Sequence, residues 1–65
     1  MIGIVRWFSK EKGYGFIEAD NKSYFAHYKS IKGTGFKNLE QGQKVEFNTA
    51  KTPKGESAVD IVVID

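Results

Sequence analysis

The chain has 65 residues, no cysteine and a net charge of +2. A chain this short buries only about 60% of its unfolded surface, so one small core and a stability of ~5 kcal/mol or less are expected. Disulfide and thiolate–metal staples are excluded, and the absence of any long apolar run or charged leader argues against a membrane span or signal peptide. A single domain over residues 1–65, in a reducing cytoplasmic setting, is the expectation.

Seven glycines punctuate short alternating runs, and no 11-residue window sustains a helical period. This predicts a small all-β barrel or sandwich. Strands are expected at about 2–9, 13–19, 22–28, 43–50 and 57–64. In the first, Trp7 and Phe8 are adjacent, so one ring should point outward; a bulge at Phe8 would bring both to the rim. The bland alternative makes Trp7 a core anchor.

Gly13-Tyr14-Gly15 begins like a dinucleotide-binding loop, but the third glycine is missing and Tyr14 and Phe16 read as strand residues. The glycines more simply let a strand coil tightly. The second and third strands should form a hairpin pairing Phe16 with Phe25, Tyr14 with His27, Gly15 with Ala26 and Ile17 with Tyr24. That register leaves Asp20-Asn21 as a two-residue turn, both types tolerating positive φ.

Lys29-Ser30-Ile31 suits a single helical turn. The longest connection follows, from about Lys32 to Gly42, with Gly33, Gly35 and Phe36 near its tip; so long a loop in so small a domain points to function. A second loop, 50–56, carries Lys51, Pro53, Lys54 and Gly55. In the last strand Val59, Ile61 and Val63 are expected to complete a core with Val5, Ile17, Ala26, Val45 and Phe47. Val62 and Ile64 would face outward or toward a barrel end.

Strict alternation puts Tyr14, Phe16, Phe25 and His27 on one face, and Gly15, Ile17, Tyr24, Ala26 and Tyr28 on the other. Both faces are apolar or aromatic, yet only one can be core. Each large ring left in water forgoes about 1.5–3 kcal/mol of burial, a loss expected only where the rings bind something. Residues 1–38 carry seven Lys or Arg against three acids, whereas residues 39–65 carry three against five. The basic half therefore holds most of the rings, a pairing that suits a ligand with flat faces and negative charge.

His27 has no histidine or cysteine partner for a metal and no nucleophile to activate. The carboxylates are dispersed. No enzyme activity, cofactor or metal is expected. A rival reading is a small barrel gripping proline-rich peptides, but such grooves add acidic residues, whereas this face is rimmed with lysine and arginine.

Lys12-Gly-Tyr-Gly-Phe-Ile-Glu18 and Tyr24-Phe-Ala-His-Tyr28 resemble the two ribonucleoprotein motifs of the bacterial cold-shock protein family. Gly3-Ile-Val-Arg-Trp-Phe8, Gly33-Thr-Gly-Phe36 and Leu39-Glu-Gln-Gly-Gln43 resemble its opening strand, its long loop and the approach to its fourth strand. The resemblance runs in order over essentially the whole chain. It implies a five-stranded antiparallel oligonucleotide-binding barrel that binds single-stranded RNA or DNA as a monomer and keeps RNA free of secondary structure. By that resemblance Trp7, Tyr14, Phe16, Phe25, His27, Tyr28 and Phe36 are the stacking set. Arg6 and Lys12 are implied as the main basic contacts, with Phe8 and Lys54 secondary. The chain departs from the family pattern at Ile4, where a basic residue is common, at Ser9 for Asn, at Tyr14 and Tyr28 for Phe, and at Glu56-Ser57 for Pro-Gln.

Overall fold

The structure is a computed structural model and describes residues 1–32, 38–53 and 55–64. Its strands are β1 (Ile2–Ser9), β2 (Tyr14–Ala19), β3 (Lys22–His27), β4 (Lys44–Thr52) and β5 (Gly55–Val63). They close into a barrel in the order β1-β2-β3-β5-β4. The ladders are antiparallel except at the β3–β5 seam, where Phe25 pairs with Ser57 and Ala26 with Ala58 in parallel. The all-β barrel is as expected; the parallel seam is not. Of residues 50–56, read from sequence as a loop, 50–52 continue β4 and 55–56 begin β5, and the Thr52 hydroxyl donates to the Gly55 carbonyl at 2.8 Å.

The β2–β3 hairpin has the expected register throughout. Asp20 and Asn21 turn it with φ of 52° and 62°, the doubly positive geometry whose twist matches that of the flanking strands.

Two irregularities decide which residues are core. In β1, Val5 lies opposite Ile17 but Trp7 opposite Phe16, so Arg6 is the extra residue. The sequence suggested Phe8 as the position where a bulge would bring both rings to the rim. The bulge at Arg6 puts Arg6 and Trp7 both on the outside and leaves Phe8 half-buried, packed against the edge of the core. In β5, Asp60 and Ile61 together oppose Phe47. Asp60 takes φ 52°, accepts a hydrogen bond from Asn48 Nδ2 at 3.2 Å and lies 3.6 Å from Lys32 Nζ. The extra residue reverses the alternation. Ala58 and Ile61 are therefore buried, Val59 is half-buried, and Val63 is 37% exposed. The expectation that Val59, Ile61 and Val63 share the core face is corrected accordingly; Val62 and Ile64 do face outward.

The core holds Val5, Ile17, Ala26, Val45 and Phe47 as expected, joined by Tyr24, whose ring lies 5.4 Å from that of Phe47. Ile31 and Leu39 are also buried. Ile31 bridges Ile61 just after a 3₁₀ turn (Tyr28–Ser30), and Leu39 anchors the returning end of the long connection. Both sit outside the strands, where alternation carries no signal.

Candidate functional site

The outer face of β1–β2–β3 carries a closed circuit of rings. Trp7 lies 5.6 Å from Phe16 and 5.9 Å from Tyr14; Phe25 lies 5.9 Å from Phe16 and 5.6 Å from Tyr14. From Phe25 the line continues to His27 at 6.4 Å and on to Tyr28 at 4.7 Å. Trp7 is 44% exposed, Phe25 36% and Tyr28 40%; Tyr14, Phe16 and His27 are half-buried. Tilted and edge-to-face contacts hold the rings beside one another without covering their faces. The circuit rests on the Arg6 bulge, which moves Trp7 to the outer side opposite Phe16.

Tyr28 reaches this surface by a route the sequence does not show. Alternation put it on the inner face, with Ile17 and Ala26. The chain instead leaves β3 at His27 and enters the 3₁₀ turn, so the alternation ends and Tyr28 swings out. Its ring lies over Gly13, where φ is +80° and any Cβ would stand 2.8 Å from the ring. His27 starts the turn: its Nδ1 accepts the Lys29 backbone N–H at 3.2 Å. That bond requires the neutral ring to carry its proton on Nε2, leaving a donor free for a ligand.

Arg6 is not a free cation. Its guanidinium lies 2.8 Å from the Glu18 carboxylate, and both side chains are about half exposed. Lys12 is exposed beside the ring platform, in the turn where its backbone N–H bonds to Ser9 Oγ. Phe36 and Lys54 lie outside the described residues.

Among the described residues, three concavities follow the rings. The largest, about 520 Å³, is walled by Phe16, Phe25, Thr52, Pro53, Glu56 and Ser57. A second, of about 290 Å³, lies between Arg6, Trp7, Phe16 and Ser23. Phe8, Lys10, Glu11, Lys12, Gly13 and Tyr28 enclose a third of about 230 Å³. Phe16 thus walls two neighbouring grooves, and the sequence-derived Phe8 and Lys12 meet in one. Sequence reasoning missed Glu18, Ser23 and the wall of Thr52, Pro53, Glu56 and Ser57 as parts of this surface. The hairpin register could have given Glu18 and Ser23, which are cross-strand partners. The wall depends on the parallel seam, for which no local signal exists.

Among the described residues no group of three or more His, Cys, Asp or Glu could hold a metal ion, and no helix is long and apolar enough to cross a membrane.

Residues 1–64 match the family model described as 'Cold-shock' DNA-binding domain. The chain is 52% identical over 64 residues to cold shock-like protein CspA of Bordetella pertussis, covering 95% of this chain and 96% of that one. It is 47% identical over 64 residues to probable cold shock protein A of Mycolicibacterium smegmatis, with the same coverage. Among solved structures, Drosophila Unr CSD456 superposes with a TM-score of 0.78 at 18% identity, over 98% of this chain. This chain spans about a quarter of that one, 26%, and the likeness carries the fold alone: a five-stranded oligonucleotide-binding barrel.

Proposed function

The chain belongs to the cold-shock domain family, a nucleic-acid-binding and non-enzymatic one, and on that footing we propose that it binds single-stranded RNA and DNA and acts as an RNA chaperone. The observation that carries the reading is the exposed ring circuit of Trp7, Tyr14, Phe16 and Phe25, extended by His27 and Tyr28. A duplex hides the faces of its bases, whereas an open strand presents them. Stacking on such rings is worth about 1–3 kcal/mol per base and tolerates any base. Arg6 and Lys12 draw in the phosphates, and Phe8, Phe36 and Lys54 extend the contact surface. Binding only the open form pulls a hairpin's equilibrium toward opening by mass action, with no ATP and no covalent step. The 65 residues act as one cold-shock domain and as a monomer in the cytoplasm.

Titration of Trp7 fluorescence with oligo-dT, a duplex of equal length and a proline-rich peptide, each at two salt concentrations, tests this reading. Oligo-dT is expected to bind well above the other two. With about three to five phosphates neutralised, log K should fall against log salt by about 0.7 per contact. A duplex that binds as well as the single strand, or a salt-independent affinity, overturns the reading. Tight binding of the peptide alone would favour the rival module.

The Arg6–Glu18 pair adds a second expectation. Glu18 competes with a phosphate for the guanidinium, and an exposed pair of this kind is worth at most about 1 kcal/mol. Glu18→Gln should raise affinity for oligo-dT about threefold at low salt, with the gain shrinking as salt rises. An affinity that stays level or drops removes Arg6 from the list of phosphate contacts.

A further inference from the structure

The largest groove sets two stacking rings, Phe16 and Phe25, beside a short polar edge contributed by β5. Of its polar wall residues, Thr52 already spends its hydroxyl proton on the Gly55 carbonyl. Glu56 and Ser57 are drawn to the rings by the parallel seam, which sets Ser57 against Phe25. Neither forms a side-chain hydrogen bond or ion pair with any of the described residues. A base stacked on Phe16 or Phe25 would therefore meet a carboxylate and a hydroxyl at its edge.

From this arrangement we infer that Glu56 makes the groove a guanine-selecting subsite, an inference that rests on the single-strand-binding reading above. A carboxylate only accepts hydrogen bonds. Guanine presents two adjacent donors, N1–H and the N2 amine, that match its two oxygens, and its O6 can accept from the Ser57 hydroxyl. Cytosine and adenine present one exocyclic amine next to an acceptor. Thymine and uracil present a single N3–H flanked by two carbonyl oxygens, which face a carboxylate with like partial charge. The order expected is guanine first, cytosine and adenine next, thymine or uracil last. Stacking strength by itself also gives modest base preferences and favours the larger purines, so the wall is reported by the loss of the guanine advantage in deoxyinosine and in Glu56→Gln rather than by a guanine preference alone.

The test uses the whole chain and short thymidine oligomers in which one residue is dG, dC, dA or deoxyinosine, followed by Trp7 fluorescence. A single substituted position suffices, because the strand can slide to seat that base. The dG oligomer should bind about tenfold more tightly than all-dT, the scale of one good bidentate pair. Deoxyinosine, which lacks the N2 amine, should lose most of that gain. In Glu56→Gln the dG advantage over all-dT should fall below about threefold. All-dT binding as tightly as the dG oligomer in the wild type overturns the inference, and so does a dG preference that survives in Glu56→Gln. If no oligomer binds at all, the single-strand reading falls first and the subsite with it. Binding without selectivity overturns the subsite alone.

Discussion

Replacing Phe16 or Phe25 by alanine is expected to weaken binding of oligo-dT at least tenfold, and replacing both by about thirty- to a hundredfold. Each ring offers a stacking face worth about 1–3 kcal/mol, and a factor of ten corresponds to about 1.4 kcal/mol. The two rings lie 5.9 Å apart and share a groove. Their losses should therefore fall somewhat short of additive, since neighbours in contact couple. The barrel should survive, because neither ring belongs to the core; the interior is filled by Val5, Ile17, Tyr24, Phe47 and Ile61. What each variant forfeits in stability is the tilted or edge contacts to its ring neighbours, about 0.5–1.5 kcal/mol each. Circular dichroism establishes that the variants fold, and titration gives the affinity. A folded double variant that binds like the wild type would end the stacking account.

The hairpin was fully legible in the sequence because three constraints agreed there. Alternation fixed two faces, cross-strand ring pairing limited the registers, and the Asp20-Asn21 turn chose among those left. Where one residue is inserted into a strand, alternation misleads from that point on. Arg6 and the Asp60–Ile61 pair show this: neither departs from its neighbours in composition, so alternation left open which of Trp7 and Phe8 points outward and placed Val63 inside. Tyr28 fails for a related cause, since the strand stops one residue before it and the rule stops too. The groove wall was illegible for a different reason. It exists because β5 closes the barrel against β3 in parallel, a long-range pairing set by how the whole sheet curls. Charge asymmetry located the basic half of the chain, but it did not reveal that Arg6 already faces Glu18.

Gly15→Val should leave the chain largely unfolded at 37 °C, and Gly15→Ala should lower the melting temperature by roughly 15–25 °C. Gly15 is where β2 passes closest to β1. A Cβ there would overlap the Trp7 carbonyl oxygen and stand 2.6 Å from Phe8 Cα and 2.9 Å from Phe8 Cδ1. Two of those three atoms are backbone, so no rotamer change relieves the overlap and the β1–β2 ladder has to open. Overpacking of a well-filled site costs about 1–3 kcal/mol, and more when the backbone must shift. Against a total of ~5 kcal/mol, about 3 kcal/mol moves the midpoint of a domain this size by roughly 15–25 °C. The control is Gly42→Ala. Its φ of +90° makes alanine strained, yet nothing lies within 4 Å of the added Cβ. That change should cost about 1 kcal/mol from backbone conformation alone. Thermal melts of the three variants separate the two causes. A Gly15→Ala midpoint no lower than that of Gly42→Ala would mean that β1 and β2 are not packed this tightly. The Trp7–Phe16 end of the ring circuit depends on that same approach, so binding should disappear along with the fold in Gly15→Val.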